Sequence, residues 1–162
     1  MFDSDVHERA AHLLDRCRQL GLKLTTAESC TGGLLSAALT DIAGSSDVFD
    51  RGFVTYSNDA KMDMLGVSET ILTSYGAVSE ETARAMAAGA LSESGADLAV
   101  AVTGIAGPGG GSDDRPIGLV HIAAAHRSGD IVHQKNLFGD IGRSAIRHAS
   151  LIKALDLVES LL

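Results

Sequence analysis

The sequence predicts a three-layer α/β/α sandwich with a mostly parallel sheet and an antiparallel hairpin at one side. Three observations carry that prediction. Helical and strand patterns alternate along the chain, as they do in layered α/β domains. The run Asp97 to Thr103 is almost uninterruptedly apolar, which suits a strand covered on both faces. Two later strand patterns, 119–125 and 131–138, are joined through Arg127-Ser128-Gly129-Asp130, a plausible hairpin connection.

Taken in order, Val6, Ala10, Leu13, Leu14, Cys17 and Leu20 recur at helical spacing, with Ser4 or Asp5 as N-cap and Gly21 as the stop. Leu22 to Ala27 is a short strand. Glu28-Ser29-Cys30-Thr31-Gly32-Gly33 turns it into a helix over 34–42. Val48 to Tyr56 reads as a strand, and a short helix around 60–65 is closed by Gly66. Ser79, followed by Glu80 and Glu81, starts a helix whose buried stripe is Ala83, Met86, Ala87, Ala90 and Leu91; Gly95 ends it. The strand at 97–103 comes next, then a Gly-rich loop, 104–118, the two hairpin strands, and a last helix over 144–162.

The chain has 162 residues, a size that suits one domain and leaves no room for a second. Its 13 basic against 21 acidic residues give a net charge of -8, which disfavours nucleic acid and anionic membranes while allowing a local cationic pocket for one phosphate. No segment offers the ~18 uninterrupted apolar residues of a membrane span, and no secretory signal is evident. Two cysteines, Cys17 and Cys30, do not make a disulfide framework or a Cys-based zinc site. These features lead us to expect a cytoplasmic protein.

In sheets of this kind, sites form at the carboxyl ends of strands, here the turn at 28–33 and the loop at 103–118. Ser29 follows a strand directly, and the N–H groups of Cys30, Thr31, Gly32 and Gly33 would face a common space that could hold an oxyanion or a phosphate. Ser29 is then either a nucleophile, which needs a base, or an N-cap, the commoner use of serine at such a turn. Lys61 could supply the base if burial lowers its pKa; on spacing alone it also fits a solvated helix lysine. Tyr56 is either a proton relay or an amphipathic strand-end residue. Cys30 lacks a His and Asn partner at a diagnostic spacing and reads as a small buried residue rather than an activated thiolate. Thr103, Gly104 and Gly107 begin a loop whose glycines let a ligand approach the backbone, or which is simply flexible. Arg143 and Arg147, four apart on one helix face, could bind a phosphate or be solvated. His121 and His133 could meet across the hairpin, which is weak evidence for a metal.

Together the motifs T-A-E-S-C-T-G-G (26–33), Y-S-N-D-A-K (56–61), L-G-V (65–67), G-A-V-S-E-E-T-A-R-A-M (76–86), V-T-G-I-A-G-P-G-G-G (102–111) and I-R (146–147) resemble the CinA C-terminal domain family, the PncC-type nicotinamide-nucleotide amidohydrolases. The resemblance covers almost the whole chain. It implies deamidation of nicotinamide mononucleotide in pyridine nucleotide salvage, by a stand-alone form that assembles as a homo-oligomer. It implies a serine nucleophile at Ser29, a lysine base at Lys61 and an accessory role for Tyr56, with no metal and no cofactor. Two departures stand out. Ile141-Gly142 is an apparent insertion between Asp140 and Arg143, and Arg115 stands where lysine is common. The competing readings are a mononucleotide-binding module without catalysis and a Ser-Lys amidase of another substrate.

Overall fold

The computed structural model describes residues 2–162. Helix α1, Ser4–Leu20, precedes strand β1, Leu24–Glu28, and helix α2, Leu34–Thr40. A single 3₁₀ turn leads into β2, Phe49–Val54, followed by three helices: α3, Asn58–Leu65; α4, Glu69–Tyr75; and α5, Glu80–Ser92. Strands β3, Leu98–Gly104, β4, Leu119–His126, and β5, Ile131–Leu137, complete one sheet, and α6, Arg143–Glu159, closes the fold. The sheet order is β2-β1-β3-β4-β5; β1 pairs in parallel with β2 and β3, while β4 runs antiparallel to both β3 and β5. The expected sandwich is present.

Period-two alternation along the central strands divides the core into two unlike faces. Leu98, Val100 and Val102 of β3, with Val120 and Ile122 of β4, pack under α1, α2 and α6. On the other side Ala99, Ala101, Ala123 and Ala125 meet Ala83, Met86, Ala87 and Ala90 of α5. Small side chains on both partners let α5 lie close to the sheet. The closeness extends to the helix beside it: a Cβ at Gly89 would lie 2.0 Å from the Leu65 carbonyl oxygen, so only glycine lets α5 touch α3 there.

One local reading needs correction, and one helix had no counterpart in the sequence pattern. The N-cap of α1 is Asp3, whose carboxylate accepts from the Val6 N–H at 3.0 Å, not Ser4 or Asp5, which lie inside the helix. Helix α4 carried no periodic signal because it has seven residues and buries only Leu72, although its cap is ordinary: Ser68 Oγ accepts from Ile71 N–H. Among the described residues no helix is long and apolar enough to cross a membrane.

Candidate active site

β1 ends at Glu28, so Ser29 is the first residue beyond the sheet. Its N–H still donates to Val102 O of β3 at 2.9 Å, extending the ladder one residue and fixing the serine backbone. The chain then reverses through Gly32 and Gly33, with φ of 60° and 95°, in the left-handed region that glycine occupies without a Cβ penalty. Ser29 is not the cap of α2. Gly33 holds that position, and the Glu28 carboxylate accepts from the Gly33, Leu35 and Ser36 amides. The expectation that four N–H groups face one space is also narrowed. Gly32 donates to Ser29 O and Gly33 to Glu28, which leaves the Cys30 and Thr31 amides without an acceptor among the described residues.

Lys61 sits in the first turn of α3, whose cap Ser57 accepts from Ala60 N–H. The solvated-lysine reading fails, because the side chain is 1% exposed. Its Nζ lies 3.1 Å from Ser29 Oγ and donates to Thr55 O at 2.9 Å. Thr55 N–H in turn donates to Glu28 O, so the lysine's acceptor is tied to the strand end that carries the serine. Burial pushes the Lys61 pKa below its ordinary value, and among the described residues no carboxylate pairs with it. A neutral amine can donate one N–H to Thr55 O and still accept the serine proton on its lone pair. Cys30 is different: burial raises its thiol to about 12, so at neutral pH it is no thiolate.

These residues line a pocket of about 290 Å³ at the carboxyl end of the parallel strands, completed by Thr103, Gly104, Gly107 and Arg143. Thr103 Oγ1 is occupied, donating to Ala77 O at 2.7 Å. Tyr56 stands at the rim, 60% exposed, and its hydroxyl accepts from Arg143 Nη2 at 2.9 Å. Arg143 also donates through Nη1 to Gly107 O at 2.8 Å, and no carboxylate among the described residues neutralises it. It therefore presents an uncompensated positive charge to the pocket. Arg147 does not line the pocket; its Nη2 donates to Thr31 O at 2.8 Å, which makes it a brace behind the turn. Thr31, Gly32 and Gly33 likewise shape the turn without lining the cavity. Asn58, Ala77 and Val78 do line it and were not singled out by sequence, although Asn58 belongs to the Y-S-N-D-A-K motif. The histidines do meet, with His121 Nδ1 2.9 Å from His133 Nε2, but outside the pocket. Among the described residues no group of three or more His, Cys, Asp or Glu side chains is arranged to hold a metal.

Fold and site together define an α/β domain with a buried serine–lysine pair where a parallel strand turns into a helix. Comparison with known proteins gives that class a family. The model of the CinA C-terminal domain matches residues 6–162, and the chain belongs to that family. It is 49% identical to the nicotinamide-nucleotide amidohydrolase PncC of Enterobacter agglomerans, over 96% of this chain and 94% of that one. A CinA-like protein of Geobacter sulfurreducens is 53% identical over 86% of this chain, which spans only 33% of that relative's length. Among solved structures, the competence/damage inducible protein CihA of Agrobacterium tumefaciens superposes with a TM-score of 0.98 at 56% identity, covering 99% of this chain and 98% of the other.

Proposed function

We propose that this chain is an amidohydrolase that converts nicotinamide mononucleotide to nicotinate mononucleotide and ammonia through Ser29 and Lys61. The observation that carries the reading is the 3.1 Å approach of Ser29 Oγ to a buried lysine amine, in a relative of a nicotinamide-nucleotide amidohydrolase over nearly its whole length. Neutral Lys61 takes the Ser29 proton as Oγ adds to the carboxamide carbon, and the amide of Cys30, a pocket-lining residue, receives the developing oxyanion. The protonated amine of Lys61 then gives its proton to the leaving nitrogen, with Tyr56 at the rim as an accessory donor, because expulsion of an amide anion is prohibitively costly. Water, deprotonated by the same lysine, cleaves the acyl-enzyme. Arg143 is the phosphate partner, since its charge is unpaired and faces the pocket. The reaction serves pyridine nucleotide salvage in the cytoplasm, and the working form is a homo-oligomer.

The test is ammonia release from nicotinamide, its riboside and its mononucleotide. Wild-type protein is expected to act on the mononucleotide far better than on the riboside, and Ser29→Ala to lose at least about 100-fold while melting as a folded protein. Near-normal turnover by Ser29→Ala would sink the dyad. Binding of the mononucleotide without acid product would favour a non-catalytic module, and a preference for another amide would leave the dyad standing and change the substrate.

A further inference from the structure

We propose that Glu28 is a positioning residue for this reaction: its carboxylate holds the turn that aims Ser29 and the free Cys30 amide into the pocket. The inference rests on the reading of Ser29 as nucleophile. Glu28 is 0% exposed, and its charge is met by no cation but by four donors. Oε2 accepts from the Gly33 and Leu35 amides at 3.1 and 3.0 Å; Oε1 accepts from the Ser36 amide at 2.8 Å and Ser36 Oγ at 2.7 Å. Ser36 Oγ also lies 2.7 Å from Thr26 Oγ1, so the network returns to β1. The backbone of the same residue accepts from Thr55 N–H, whose carbonyl receives Lys61. One residue thus joins the strand end, the helix after the turn and the segment that seats the lysine, and it is covalently adjacent to the nucleophile.

Its second effect is on the amides. By occupying the Gly33 N–H, the carboxylate withdraws one of the four donors of the turn, and Gly32 is withdrawn by Ser29 O. Of the two that remain, Cys30 lines the pocket and Thr31 does not. A neutral amide in place of the carboxylate offers one oxygen and one NH₂ group, and the NH₂ must face either the Gly33 and Leu35 amides or the Ser36 donors. Donor would oppose donor, and the turn would shift to relieve it. Misplacement of reacting groups by ~1 Å costs on the order of 100-fold in rate.

The experiment measures kcat and KM for ammonia release from nicotinamide mononucleotide in wild type, Glu28→Gln, Glu28→Asp, Ser36→Ala and Ser29→Ala, each rate normalised to the folded fraction from thermal denaturation. Glu28→Gln is expected to lower kcat by about 100-fold with KM unchanged. Glu28→Asp, which keeps the charge, should recover part of that loss, and Ser36→Ala should show a smaller fall in kcat alone. A purely structural role would lower the melting temperature and leave kcat per folded molecule intact; that result overturns the proposal, as does a change confined to KM. If Glu28→Gln does not fold, Ser36→Ala decides: an unchanged kcat overturns the proposal and a reduced kcat at constant KM supports it. Activity in Ser29→Ala overturns the nucleophile reading and this proposal with it, whereas an inactive Ser29→Ala beside a wild-type-like Glu28→Gln overturns the proposal alone.

Discussion

Lys61 is a buried amine whose protein contacts, Ser29 Oγ and Thr55 O, carry no negative charge. Such a group weakens the fold whenever it is protonated, and the same penalty favours the neutral amine, the form that can accept a proton. The linkage has a definite sign. With the folded-state pKa below 10.5, the unfolded chain binds more protons, so the lysine's contribution to stability is complete above 10.5 and is lost as pH falls through the folded value. Lys61→Met, similar in length and uncharged, should therefore melt higher than wild type at neutral pH, with the gap closing toward pH 10.5, while amidase activity falls by about 10²–10⁴-fold. Thermal melts across pH together with the ammonia assay check both halves; a variant that is both inactive and less stable at neutral pH would contradict the account. For the same reason, the wild-type rate should rise with pH until Lys61 is neutral.

At the scale of elements, the seam between α3 and α5 sets where Lys61 stands. Gly89 of α5 abuts the Leu65 carbonyl at the end of α3, and Leu65 and Met86 share the core beneath. Gly89→Ala gains up to about 1 kcal/mol of helix propensity, yet its methyl would meet a backbone atom at 2.0 Å, a contact that no rotamer relieves. Overpacking of this kind costs about 1–3 kcal/mol, so the net expectation is a loss of stability in urea denaturation. A displaced α3 carries Lys61 away from Ser29, so kcat should fall as well; a variant of wild-type stability and rate would show that the seam is soft. The glycine was visible in the sequence only as one small residue in a helical pattern. Its partner lies 24 positions earlier, and nothing local announces the contact. Helix α2 makes the same point at its other end, since the cap is supplied not by the nearby serine but by a glutamate at the end of β1.

For the whole molecule, the two faces of the sheet meet different chemical conditions at their edges. On the α5 side His121 is nearly buried against His133, which contacts Glu80, with Glu81, Arg84 and Lys135 close by. Burial first, and then the charge of His133, push His121 down to about 4. Its folded-state pKa lies below the unfolded 6.5, so its contribution to stability is full above pH 6.5 and is lost as pH falls toward 4, a change of up to about 3 kcal/mol. The melting temperature should decline across that window, and His121→Gln should flatten the slope; an unchanged slope would assign the acid limb to other groups. Periodicity is a local property of the chain and was enough for the layered α/β class, whereas spacing alone favoured a cap serine and a solvated lysine: Ser29, Lys61 and Tyr56 stood out through the likeness to the CinA C-terminal domain family, and Arg143 and Arg147 equally, as a pair four residues apart. Not legible locally were the burial of Lys61 against Ser29, the pairing of the Glu28 carboxylate with the amides that open α2, the two unpaired amides of the turn, and the split between Arg147, which braces the turn, and Arg143, which faces the pocket. Those outcomes depend on burial and on donor–acceptor pairing between segments up to 116 residues apart, and no local pattern encodes such pairings.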